Sequence, residues 1–400
     1  MATTDYLIIG GGVIGVAIAR ELRRRHAKAS VTLLEKEPRC GEHASGRNSG
    51  VLHAGFYYTP DSLKAKFTRD GNRELTAYCD AKKLRINKCG KLVVAKNEAE
   101  LASLDTLFER GRNNGVPMEV VTAQQAREIE PRVKTWERAL FSPTTSAVDP
   151  GEVMAAMEQD ARAEGVEFRC GERFLVKQGA EIVTTAGRWS AAYVVNAAGL
   201  YADRIAQQFG FSEHYRILPF KGLYLYSNEA PGAIRTHIYP VPDLRNPFLG
   251  VHYTLTVDGK LKIGPTAIPA FWREQYTGFE RFDAREFAEV VGRQLGLLAF
   301  SKFDFKKLAL EEIRKYSKAV MVEQAAALLE NVRVADYAQW GRPGIRAQLL
   351  DLRTQKLEMD FVLEGDARSM HVLNAVSPAF TCSLPFARYV CDQIDSKLTH

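Results

Sequence analysis

Three glycines near the start of the chain, Gly10, Gly12 and Gly15, follow an apolar run, DYLII at residues 5–9, and precede a helical pattern, VAIARELRRRH. In that setting their spacing has a definite use. The first glycine permits a tight turn, the second lets the backbone approach a pyrophosphate, and the third allows close packing of helix on strand. The helix start offers unpaired N–H groups and the positive end of its dipole to phosphates. A second apolar run, SVTLLEK at 30–36, carries Glu35, 20 residues after Gly15, where a carboxylate can accept from ribose hydroxyls. Strand, glycine turn, helix and strand make a βαβ unit, which predicts a dinucleotide site rather than an idle turn.

Three further stretches have residue types suited to chemistry. HASGRNSGVLHAGFYYTP, residues 43–60, is too rich in Gly, Ser and His for a helix interior and too regular in its apolar spacing for a disordered loop. Its His53 is either a proton acceptor or a satisfied core histidine. VVNAAGLYADRI, 194–205, reads as a strand ending in small residues that can lie against a dinucleotide. HVLNAVSPAFTCSLPFA, 371–387, is a turn into a helix start. Its N–H groups around Ser377–Thr381 can face a flavin N1–C2=O edge, which becomes anionic on reduction. The glycine motif fits NAD or FAD; these distant segments favour FAD.

The elements that must position these residues follow from periodicity. A helix is expected over 61–80, and another starting at Asp149 or Pro150. Residues 216–270 alternate as an antiparallel sheet, with VDGK at 257–260 as a hairpin turn. Residues 281–331 are mostly helical, and the C-terminal part returns to strands and a last helix. The 400 residues are 46% hydrophobic and 26% charged, an ordinary globular composition that can build a large core. The net charge of +6 is spread among many acidic residues, and short basic runs such as RELRRRHAK and KFDFKKL read as solvated helix faces. No basic patch interleaved with aromatics points to nucleic acid. The six cysteines form no CxxC pair and no zinc-spaced cluster, so a reducing compartment is expected. The first residues read directly into a strand rather than a signal peptide, and no apolar run approaches the roughly 18 residues a membrane span needs. The expected place is the cytoplasm, with peripheral docking on the inner membrane face as the alternative.

Several longer motifs carry a resemblance. GGGVIGVAIARELRRR, SGRNSGVLHAGFYYTPDSLKAKF, CGKLVVA, YVVNAAGLYADRIA, IYPVPDLRNPFLGVHYT, GRPGIRAQLLD and HVLNAVSPA run nearly end to end. With them the chain resembles the FAD-dependent oxidoreductases of the D-amino-acid oxidase superfamily, and within these the L-2-hydroxyglutarate dehydrogenase/oxidase family. The resemblance implies a mixed α/β and α+β fold, with a Rossmann-like FAD-binding domain at 1–80, 145–215 and 335–400. A discontinuous antiparallel-sheet substrate domain is expected at 81–144 and 216–334. It implies FAD bound without a covalent link and oxidation of an L-2-hydroxy acid to the 2-oxo acid by hydride transfer to flavin N5. A C–N bond of an amine or amino acid is the alternative substrate. The electron acceptor would be oxygen, a quinone or a carrier protein.

The resemblance also implies roles. FAD would be held by Gly10, Gly12, Gly15, Glu35, Lys36, Ser45, Arg47, Asn48, Ser49, Ala198, Gly199, Ser377, Pro378, Ala379 and Thr381. The reaction needs a cation for the C1 carboxylate, and Arg346 is the choice because a planar guanidinium grips a carboxylate bidentately. It needs a base for the hydroxyl proton, and neutral histidine suits this near pH 7. His53 is slightly favoured over His252. Lys221 would serve a second carboxylate, Tyr57 and Tyr253 would line the pocket, and Gln348 would share the face of Arg346 on a strand. The chain departs from the family at Leu223, where an acidic residue is usual, at Val376 in place of proline, and at Phe380 in place of alanine. These departures bear on the substrate; Phe380 would add bulk near the flavin or the substrate mouth.

Overall fold

The computed structural model describes residues 1–243, 249–300 and 305–398, without the side chains of Phe300, Phe305 and Leu308. Part of the IYPVPDLRNPFLGVHYT motif and part of the KFDFKKL run lie outside the described residues. The chain forms two compact units. Unit 1 comprises 1–48, 150–219 and 346–400; unit 2 comprises 49–149 and 220–345.

Unit 1 is a sheet of eight strands. At its centre β1 (Ala2–Ile9) lies parallel to β2 (Val31–Glu35) on one side and to Arg188–Asn196 on the other. Glu167–Cys170 extends it in parallel beyond β2, pairing Cys170 with Glu35, and Ser369–Asn374 extends it beyond Arg188–Asn196. Such strands read as unbroken apolar runs because helices cover both faces; every residue of β2 is buried. The helix α1 (Val13–Arg25) buries Val13, Ile14, Val16, Ala17, Ile18, Ala19 and Leu22. It packs on the helices Pro150–Ala163 and Ala379–Leu398. Ion pairs hold both contacts: Arg20 reaches Asp160 at 2.9 Å, and Arg25 reaches Asp392 at 2.7 Å and Asp395 at 3.0 Å.

Unit 2 carries its own eight-stranded sheet, in which His237–Pro240 lies between Lys91–Val94 and His252–Leu255. The pairing is antiparallel except between Lys91–Val94 and His237–Pro240, which run parallel with Lys91 beside His237 and Val93 beside Tyr239. The hairpin turn after Leu255 forms as expected: Gly259, at φ +75°, and Lys260 close it through Thr256. Helices Ala284–Phe300, Phe305–Arg314 and Lys318–Ala326 fill the expected helical stretch.

Residues 49–80, assigned with the dinucleotide domain on sequence, pack in unit 2. The reason is local. Helix Leu63–Lys82 lies against the small sheet of Val51–Leu52, Ser146–Val148 and Ile86–Asn87. Its buried Asn72 donates to Leu52 O and Thr144 O, both at 3.0 Å. Asn72→Ala strands two carbonyls in a dry place, so the melting temperature of the FAD-loaded protein should fall, by an amount corresponding to about 1–3 kcal/mol.

Candidate functional site

The glycine turn of unit 1 is built without space for side chains. Gly10 has φ +116°, and a Cβ there would stand 2.5 Å from Ala197 O; a Cβ on Gly15 would stand 2.0 Å from Gly10 O. Glu35 ties the turn to β2. Its buried carboxylate accepts from Gly11 N at 2.7 Å and from Glu37 N at 2.8 Å. Burial holds its pKa above the ordinary carboxylate value against the pull of those two amides and Lys36. Ser45 Oγ accepts from Val13 N at 2.9 Å, so it caps α1, whose N-cap residue Gly12 has no side chain to do so. Arg47 Nε donates to Glu42 O at 2.7 Å and Asn48 Nδ2 to Ser45 O at 2.7 Å, which braces the loop. Lys36 lies 2.9 Å from His43 Nε2 and over the Tyr201 ring.

The other cradle segments are in place within the same unit. Buried Asn196 ends its strand and accepts from Ala198 N at 3.2 Å, while Gly199 turns the chain at φ +54°. Val376, Pro378, Ala379 and Thr381 are buried at the start of helix Ala379–Leu398, with Ser377 exposed and Phe380 half-buried. Cys382 is fully buried behind them. A Cβ-free turn, a carboxylate at the end of β2 and two helix starts make a donor set that fits FAD. Arg346 is half-buried on strand Gly344–Asp351. Gln348, on the same strand, is buried and gives its amide nitrogen to Glu358 O at 2.6 Å. That hydrogen bond braces the strand.

Unit 2 concentrates buried positive groups. Among the described residues Lys91 Nζ has no hydrogen-bond partner, and it lies 4.6 Å from the Tyr239 ring centroid, 4.8 Å from Phe56 and 4.9 Å from Tyr57. The faces of three rings partly replace its lost water. Burial lowers its pKa to about 7. Lys221 is buried, and burial alone lowers its pKa. Lys262 donates to Ser49 O at 3.0 Å, lies over Tyr224, and is lowered by burial to about 8, with Asp149 opposing. No carboxylate contributes to the shifts of Lys91 and Lys221.

His252 stacks on Tyr239 at 3.7 Å, and its Nδ1 lies 2.7 Å from Gly250 O. A carbonyl only accepts, so the proton sits on Nδ1 and Nε2 keeps its lone pair. Burial first, then Lys91 and other cations, lower its pKa to about 3 against the Gly250 bond, so it is neutral at pH 7. His237 is also buried, with Nδ1 accepting from Leu255 N at 3.1 Å. His53 is half-buried just after Val51–Leu52, and the Tyr57 hydroxyl is buried without a partner. Tyr253 is not a pocket residue. It follows His252 on a strand, so it faces the other side of the sheet, where it is fully buried among Ile238, Ile263, Leu329 and Tyr337. Leu223 is half-buried; its N–H donates to Thr266 Oγ1 at 3.0 Å and its carbonyl accepts from Thr266 N at 3.2 Å.

Sequence reasoning missed Lys91, His237 and Tyr239. A signal existed for the first: Lys91 opens the otherwise apolar run KLVV, all of it buried.

The profile of the FAD dependent oxidoreductase family matches residues 5–393. The L-2-hydroxyglutarate dehydrogenase, mitochondrial, of Nematostella vectensis is 38% identical over 421 residues, covering 99% of this chain and 91% of that protein. The L-2-hydroxyglutarate dehydrogenase of Escherichia coli K12 is 34% identical over 400 residues, covering 98% and 94%. Among solved structures, the FAD-bound L-alpha-glycerophosphate oxidase of Mycoplasma pneumoniae superposes with a TM-score of 0.77 at 22% identity, covering 99% of this chain and 95% of that one.

Two outcomes follow from this geometry. Gly15→Ala should purify with most of its flavin lost, read from the visible absorbance per chain, because the new Cβ collides with backbone. Lys91→Met should raise the melting temperature at pH 7. Lys91 in the native state binds its proton less tightly than an ordinary lysine, at about 10.5, so the unfolded state holds more protons between about 7 and 10.5. Wild-type stability should therefore rise with pH across that window and the variant's rise should be smaller.

Proposed function

Since the chain belongs to the FAD-dependent oxidoreductases of the D-amino-acid oxidase family, and so takes FAD as its cofactor, we propose that it oxidises the secondary alcohol of L-2-hydroxyglutarate to 2-oxoglutarate. The observation that carries this reading is the set of buried lysines in unit 2, Lys91, Lys221 and Lys262, without an ion-pair partner among the described residues. Buried charges are retained when a counter-charge meets them, and a dicarboxylate brings two. The relatives' names point to the same substrate.

Bound FAD, held without a covalent link, supplies the hydride acceptor. The chain's own residues do the rest. His252 takes the hydroxyl proton at Nε2, since its Nδ1 proton is fixed by Gly250. The low proton affinity that the surrounding cations impose on it is offset when a dianion enters. Lys221 binds the second carboxylate, with Lys91 and Lys262 setting a positive potential. Arg346 grips the C1 carboxylate, and His53 and Tyr57 orient the substrate. The pinned tautomer favours His252 over His53 as the base.

The test is an anaerobic titration followed in the visible flavin band. L-2-Hydroxyglutarate should bleach it and the D-enantiomer should not; bleaching by amino acids alone would replace the alcohol with a C–N substrate. His252→Gln should lower kcat by roughly 10²–10⁴-fold. Arg346→Ala should lower kcat/KM by roughly 10–100-fold while leaving flavin content unchanged.

A further inference from the structure

Cys40, Glu158 and Cys170 come from three separate places in unit 1. Cys40 lies in the loop after β2, Glu158 on the helix Pro150–Ala163, and Cys170 at the end of the strand paired with β2. Their ligating atoms, two Sγ and a carboxylate oxygen, all lie within 4.8 Å of one another. None of the three is exposed; each is half-buried. Sequence spacing gave no hint, because the residues converge only through the sheet.

We propose that Cys40, Cys170 and Glu158 bind one soft divalent cation of the zinc class. The donor set suits it: two sulfurs and a carboxylate supply three tetrahedral positions and leave the fourth for water. The backbone around the donors is already fixed. Gly41 N donates to Gly11 O at 3.0 Å, and Gly171 N donates to Glu37 O at 2.8 Å. Met154, on the same helix as Glu158, packs against Gly41. Ligands held in place before binding lose little entropy when the cation arrives.

The Glu158 carboxylate stands within reach of both sulfurs, so an arriving cation meets all three donors at once. Binding forms two metal–sulfur bonds and one metal–oxygen bond and releases both thiol protons to solvent. The charge balances: a thiol pair with one carboxylate carries −1, and a divalent cation with two thiolates and a carboxylate also carries −1. Arg162 offsets that charge in both states, donating to Glu158 Oε1 from Nε at 2.9 Å and Nη2 at 2.7 Å.

The location gives the cation a consequence. A Cβ placed on Gly11 would lie 2.8 Å from Cys40 Sγ and 2.9 Å from Glu35 Oε2. The cation therefore braces the loop behind the turn that takes the FAD pyrophosphate, and this holds whatever the substrate is.

The test titrates reduced, chelator-treated, FAD-saturated protein with Cd²⁺, following ultraviolet thiolate-to-cadmium charge transfer, and repeats it with Zn²⁺ by equilibrium dialysis. One cation per chain should bind, with two protons released. Uptake should vanish in Cys40→Ser and in Cys170→Ser, weaken roughly 10–100-fold in Glu158→Gln, and persist in Cys89→Ser. Zn²⁺ should raise the melting temperature of wild type and leave that of Cys170→Ser unchanged. No stoichiometric uptake, uptake retained in both serine variants, or isolation of the pair as a Cys40–Cys170 disulfide would each overturn the assignment.

Discussion

An ammonium group taken out of water costs several kcal/mol unless negative charge or good hydrogen bonds meet it. Among the described residues, unit 2 buries Lys91 and Lys221 with no carboxylate against them and Lys262 with one hydrogen bond, to Ser49 O, and the sheet is what keeps them there. Lys91 is fixed by the parallel register that sets it beside His237, and Phe56, Tyr57 and Tyr239 close around it. The Tyr239 ring also stacks on His252, so the cage and the proposed proton acceptor share one aromatic wall. Burial, and after it the nearby cations, keep His252 neutral, and neutrality is what a proton acceptor needs before reaction. Stability is given up inside unit 2, and on the proposed reading the substrate restores it.

Unit 1 solves a different problem. Its turn must approach a pyrophosphate, so Gly10 and Gly15 exclude side chains, and α1 starts without a capping side chain of its own. Glu35 and Ser45, from outside the helix, supply the missing hydrogen bonds to Gly11 and Val13. The loop from 40 to 48 is thus a support for the turn as much as a partner for the cofactor. That is why the proposed cation at Cys40 would brace the cofactor turn.

Much of unit 1 was legible in the sequence because its signals are local: an apolar run, a glycine spacing and an acid at the end of the next strand lie within Leu7–Glu35. The sheet of unit 2 and the Gly259 turn were legible for the same reason. What the sequence could not show was burial decided by distant strands. Tyr253 was expected in a pocket, but period-2 alternation sends it to the core side once His252 faces the other way. Gln348 was expected to share the face of Arg346 and does lie two residues on along the same strand, but sequence could not show that the carbonyl of Glu358, ten residues on, accepts from its amide. The helix Leu63–Lys82 was found, but its loyalty to unit 2 depends on Asn72 reaching Thr144. Lys91 stood in a motif valued only for resemblance, although a lysine opening a fully buried run was itself a physical warning. The Cys40–Glu158–Cys170 triangle left no spacing to read, since its members meet across a parallel sheet.

The most direct measurement is calorimetric binding of an unreactive dicarboxylate such as glutarate to the FAD-loaded protein at pH 8, in buffers of different ionisation enthalpy. Lys91, with its pKa near 7, is mostly neutral there, and an arriving dianion raises its affinity for a proton. The account predicts proton uptake on binding that is reduced in Lys91→Met, with the remainder at Lys262, which burial lowers to about 8. Binding with no proton uptake, or uptake unchanged in the variant, would contradict it.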